Sequence, residues 1–154
     1  MKTILLWMFA ALLSLTVTRV SQAMTCTIGT ATAIAFGAYD PLQGGAVDTT
    51  GSIGYRCDDV GGSDTIIVQL SRGNAMSYLP RTLTSGAYQL EYNLYLGPSH
   101  AIIWGDGSSG TDQLGPLLPE NGVDTNVVVY GRIESGQNAH VGTYSDTVSV
   151  TVVF

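Results

Sequence analysis

The sequence predicts an all-β chain folded as an antiparallel sandwich, and three observations carry that prediction. Apolar residues recur with period two in run after run, glycines fall in the gaps between the runs, and no stretch longer than about ten residues has the period of a helix. The length of 154 residues fits one domain, and 45% apolar residues against 12% charged ones suffices for a core.

The first segment is predicted to be a leader. Lys2 precedes an apolar run over 4–17 that only Ser14 and Thr16 interrupt, and Ser21-Gln22-Ala23 presents small residues at the -3 and -1 positions of a cleavage site. A run of about 14 residues is too short for a membrane-spanning helix, which needs about 20. Residues 1–23 therefore read as a cleaved signal peptide and 24–154 as the exported domain, with no span left after cleavage. The segment Ala23-Met24-Thr25-Cys26 lacks the pattern of a lipidated cysteine.

Cleavage removes Lys2 and Arg19, leaving four basic residues against 12 acidic ones, so the formal charge moves from -6 to -8 and no lysine remains. Such a surface cannot neutralise a row of phosphates, and nucleic-acid binding is not expected. Cys26 and Cys57 are an even pair in an exported chain and read as a disulfide, which by closing a loop of about 32 residues contributes about 3 to 4 kcal/mol.

The strands follow in order. Ile53, Tyr55 and Cys57 alternate with Gly54 and Arg56, which turns the second cysteine inward toward its partner near the first strand. Ile66, Val68 and Leu70 repeat the pattern. Tyr88, Leu90, Tyr92, Leu94 and Leu96 share one face of the next strand, opposite Gln89, Glu91 and Asn93. A β-branched run, Val127-Val128-Val129, marks 126–134, and 143–154 alternates to the last residue. Between them lie Gly44-Gly45, Gly61-Gly62, Gly73-Asn74, Gly105-Asp106-Gly107, Gly110 and Gly136, while Pro116 and Pro119 argue against a helix over 114–119. Six to eight short strands are expected.

Catalytic groups are hard to find. His100 and His140 sit in polar, loop-like contexts beside no serine signature. Asp106 and Asp112 lack the order of a calcium loop, and Asp58-Asp59, adjacent on an extended chain, point to opposite faces. No catalytic residue, metal ligand or cofactor is expected, and the chain is not expected to be an enzyme.

The last strand says most about function. Val148, Val150, Val152 and Phe154 share one face, and Thr147, Ser149, Thr151 and Val153 the other. A β-prone edge of this kind is an aggregation hazard unless something pairs with it. The alternative is an ordinary final core strand paired on both sides.

The chain also carries, in order, Phe36-Gly37-Ala38-Tyr39-Asp40-Pro41, Leu70-Ser71-Arg72-Gly73, Arg81-Thr82-Leu83, Leu90-Glu91-Tyr92-Asn93-Leu94-Tyr95, Trp104-Gly105-Asp106-Gly107, Val129-Tyr130-Gly131-Arg132-Ile133, Gln137 and the run from Gly142 through Tyr144 and Asp146 to Val152. Together with the cysteine-framed start these resemble the spore coat protein U domain, which is shared with subunits of archaic chaperone-usher pili. The resemblance implies an immunoglobulin-like sandwich lacking its final strand and a secreted structural subunit of a pilus or surface fibre, assembled by donor-strand complementation, with a role in adhesion and biofilm. Its implied partners are a periplasmic pilus chaperone, an outer-membrane usher and neighbouring pilus subunits, and its implied location is the cell surface, reached through the periplasm.

Carried over, Val148, Val150, Val152 and Phe154 would line the chaperone-facing strand, and Ile28 and Ile34 on the first strand the other lip. Tyr144 and Asp146 would stabilise the fold. With cleavage after Ala23, only Met24 and Thr25 precede Cys26, spanning about 7 Å, so the subunit is expected to accept a strand rather than donate one. Two other classes stand beside this one: a non-fibrous structural coat protein, and a secreted enzyme or carbohydrate-binding domain, for which the residues offer no constellation.

Overall fold

A computed structural model describes residues 22–42 and 44–154. The leader expected over 1–23 thus lies, except for its last two residues, outside the described residues. Among the described residues eight strands form in order: β1 (Thr25–Thr32), β2 (Val47–Asp58), β3 (Ile66–Leu70), β4 (Arg81–Ser85), β5 (Tyr88–Tyr95), β6 (Leu114–Leu117), β7 (Asp124–Ile133) and β8 (Val150–Val153). They build a five-stranded sheet, β1-β2-β7-β5-β4, and a three-stranded sheet, β6-β3-β8, with every strand pair antiparallel.

The period-two runs account for the core. Ile53, Tyr55 and Cys57 of β2, Leu90, Tyr92 and Leu94 of β5, and Val129 and Ile133 of β7 point inward from the large sheet, and Ile66, Val68 and Leu70 of β3 meet them from the small one. Each large apolar side chain buried in this way contributes on the order of 1.5 to 3 kcal/mol. Cys26 and Cys57 stand directly opposite each other in the β1–β2 register and form the expected disulfide. That bond secures β1, whose other residues are all exposed.

Several local expectations change. Tyr88, expected on the inward face of β5, is 47% exposed and stacks on His140, because β5 projects past the core at that end. Asn93, expected to face outward, is buried as a partner of Arg81. The alternation over 143–154 yields a regular strand only at Val150–Val153. Upstream the chain meets β4 through Ser145, paired with Thr84, and the Asp146 carboxylate takes the Thr147 N–H, which interrupts the ladder. Over 114–119, where the prolines argue against a helix, Leu114–Leu117 is an edge strand that admits Pro116.

Asp106 accepts from the Ser108 N–H and hydroxyl and closes a turn, while Asp112 accepts the Gln113 N–H and bridges Trp104. Asp58 pairs with Arg56, and Asp59 turns the chain at a φ of 59°. His100, expected in a polar loop, has only 8% of its side chain exposed, with its ring edge-on to Tyr95 and its Nε2 3.8 Å from Asp48. Arg132 holds Asp48 in a two-pronged contact and keeps that carboxyl below the usual carboxylate range.

Candidate functional site: an open trough between β1 and β8

β1 and β8 are the edge strands of their sheets, and the chain beyond β1 faces the run that leads into β8. Between them lie two adjoining cavities. The first, about 320 Å³, runs between residues 31–36 and 146–150 over a floor that includes Ile53, Leu70, Leu94 and Val129. The second, about 700 Å³, continues between residues 34–41 and 139–146 over Leu90 and Ile133. Ile34, Phe36, Leu83 and Asp146 line both, so the two cavities make one trough whose lips run in opposite chain directions.

The trough-facing edge of β8 can be assigned from one hydrogen bond. The Ser71 N–H donates to the Ser149 carbonyl at 2.9 Å, so the main-chain groups of Ser149, and by alternation those of Thr151 and Val153, face β3. Those of Val148, Val150 and Val152 therefore face the other way, toward the first lip. Their side chains are half-buried against the core. A further strand laid along this edge would find a row of main-chain donors and acceptors on one side and an apolar floor beneath it.

The structure brings some of the expected site residues together and separates others. Ile34, Val148 and Val150 line the first cavity. Val152 packs on the core outside that lining, while Ile28, 46% exposed, and Phe154, 59% exposed, stand clear of both cavities. Ile34 lies beyond the end of β1 and not on the first strand: after Thr32 the chain leaves the sheet edge and turns inward, where Phe36 meets Tyr92 edge-on at 5.8 Å between centroids.

Both lips are held from behind. The Tyr39 hydroxyl accepts the Gln137 N–H at 2.8 Å and donates to the Glu134 carbonyl, while the Gln137 amide pairs with both main-chain groups of Glu91. On the other lip, Asp146 is the one formally charged residue among the described residues that line the trough. Its carboxylate accepts the Tyr92 hydroxyl at 2.7 Å, the Asn74 N–H at 2.9 Å and the Thr147 N–H at 2.7 Å. Gly73, at a φ of 68°, lies so close beneath that any side chain there would strike the carboxylate. Burial, with the bond to Asp146 adding to it, raises the Tyr92 pKa far above the ordinary tyrosine value. These groups hold one another and fix both lips in place.

Over residues 11–151 the chain matches the model of the Spore Coat Protein U domain. It belongs to that family. A curated relative, Protein U of Myxococcus xanthus, is 33% identical over 147 residues, covering 84% of this chain and 77% of the relative. Among solved structures, a chain in the CsuC-CsuE chaperone-tip adhesion subunit pre-assembly complex from the archaic chaperone-usher Csu pili of Acinetobacter baumannii superposes with a TM-score of 0.59 at 22% identity. The match covers 86% of the present chain and 40% of that one, and shows a shared fold. The spore coat protein U domain of this protein is thus a β-sandwich with an open trough between its first and last strands.

Proposed function

We propose that the domain is a non-enzymatic structural subunit of a surface fibre of the chaperone-usher type, exported after removal of residues 1–23 and completed by a strand from another chain. The observation that carries this reading is the trough itself, where an apolar floor lies beside an edge strand whose Val148, Val150 and Val152 main-chain groups face it. Strand addition of this kind draws affinity from main-chain hydrogen bonds and specificity from alternate side chains that fill pockets. A periplasmic chaperone supplies the strand before assembly, an outer-membrane usher receives the complex, and a neighbouring subunit supplies the strand in the fibre at the cell surface, where adhesion and biofilm are the role. The known complex that shares the fold pairs a chaperone with a tip adhesion subunit, which favours this order of events.

Val148, Val150 and Val152 are the strand-pairing residues in this reading. Ile34 forms the opposing wall, and Ile28 and Phe154 lie where a long inserted strand would leave the trough. A second reading, a self-standing coat protein, draws on the description of the family. Chaperone dependence separates the two. Expressed in a periplasm without its chaperone, the exported domain is expected to aggregate or be degraded, and with the chaperone to be recovered as a 1:1 complex. A monomer that folds cooperatively and is recovered in full without any partner would overturn the fibre reading.

A further inference from the structure

The inner face of the large sheet has a gap at the trough. Among the inward positions of β2 and β7 near it, Ile53, Tyr55, Val129 and Ile133 carry large side chains and Thr49 a small one whose hydroxyl donates to the Ala35 carbonyl, yet two are glycine. In the β2–β7 register Gly51 pairs with Val129 and Gly131 with Thr49, which sets the two glycines on a diagonal. Ile34 and Phe36 fill the space they leave. A β-carbon at Gly131 would stand 2.9 Å from Ile34 Cγ2 and 3.0 Å from Phe36 Cζ, and one at Gly51 would stand 2.6 Å from the Thr32 carbonyl oxygen and 2.8 Å from Ile34 Cδ1. Both glycines lie on regular strand, so close approach and not backbone freedom requires them.

We infer that Gly51 and Gly131 form a saddle that seats Ile34 and Phe36 and thereby sets the depth of the trough, which makes them positioning residues for the incoming strand. This rests on the strand-accepting reading above. Ile34 and Phe36 line both cavities, so their height above the sheet decides how much room an inserted side chain has. A methyl group at either glycine lifts the strap formed by 33–36 into the path of that strand. The two positions differ in remedy. Around Gly131 the near atoms are all side-chain atoms, which a smaller residue removes, whereas at Gly51 the nearest is a main-chain oxygen, which no substitution removes.

The test uses the full chain with one alternating Val/Thr strand of about ten residues appended through a flexible Gly/Ser linker, and reads protection of that strand from protease. In the unaltered sequence the strand is expected to be protected. Gly131→Ala is expected to expose it, with cleavage about tenfold faster or more, the scale on which overpacking acts. The double variant Gly131→Ala with Ile34→Ala is expected to recover protection, and Gly51→Ala with Ile34→Ala is not. Equal protection in Gly131→Ala and the unaltered chain would overturn the saddle, as would a double variant no better than the single. If Gly131→Ala yields no folded protein, recovery of folding and protection by Ile34→Ala supports the saddle and its failure overturns it. An appended strand left unprotected even in the unaltered sequence would overturn the strand-accepting reading itself, and the saddle's role with it.

Discussion

The two seams where the sheets meet are built differently. At one seam β4 pairs with β5, and Arg81 of β4 reaches across the sandwich with no exposed surface of its own. Its guanidinium donates to the Ser71 carbonyl, the Asn93 side chain and the Trp104 carbonyl, while the Trp104 indole N–H donates to the Val68 carbonyl and the Tyr78 hydroxyl to the Leu70 carbonyl. Burial lowers the Arg81 pKa, and Tyr92, Tyr78, Asp146 and Asp106 oppose that shift. At the other seam, residues 31–41 and 139–150 face each other across the trough. One seam is sealed by a satisfied polar network. The other keeps an apolar floor and a free strand edge, which suits completion by another chain.

The contrast can be broken first at Arg81. Arg81→Met leaves the Ser71 and Trp104 carbonyls and the Asn93 amide short of partners in the interior, and a loss of about 3 to 5 kcal/mol is expected, checked by denaturant unfolding of the chain carrying the appended strand. A variant as stable as the parent would mean that the network does not seal the seam. Replacing both Cys26 and Cys57 by Ser is expected to cost about 2 to 5 kcal/mol in the same assay, since β1 would lose its one covalent tie to β2.

At the open seam the signature should reverse. Val150→Asp places a charge on the trough wall, so chaperone capture in co-purification is expected to be abolished, while in the chain carrying the appended strand its stability falls by less than that of Arg81→Met. Undiminished capture would show that the β8 edge is not the contact. Comparable losses of stability from both variants would erase the contrast.

Tyr92→Phe should give the smallest effect, about 1.5 to 3 kcal/mol, because its hydroxyl donates to a charged carboxylate that keeps two other donors. It also has a pH signature. The folded-state pKa of Tyr92 is raised above the unfolded value near 10.0, so the unfolded chain ionises first and stability is lost as pH climbs past that value. The alkaline limb of the stability profile is expected to be shallower in Tyr92→Phe. An unchanged limb would assign it to Tyr78 and Tyr95, whose pKa values are also raised by burial.

Much of this was legible in the sequence because it is local. Strand alternation follows from the geometry of an extended chain, so the inward faces of β2 and β3 could be assigned from residue order alone, and two cysteines leave one pairing. The site was legible in part. Alternation placed Val148, Val150 and Val152 on one face, and the ordered motifs around Tyr92, Gly131 and Asp146 pointed to the family, but neither could give Ile34 its position past the end of β1 or leave Phe154 in solvent. Arg81 stands in the sequence only as part of a family motif, because a lone arginine has no periodic signature and its partners lie 10 to 23 residues away.

The fold class, the inward faces of β2 and β3 and the disulfide follow from spacing along one chain. Only the tertiary structure decided which edges meet partners and which face the trough, that Asp146 ties the second lip to Tyr92 54 residues away, and that Gly51 and Gly131 stand empty so that Ile34 and Phe36 can fill them. Alternation fixes the face a side chain occupies, whereas what covers that face depends on contacts between distant segments, which no local pattern encodes.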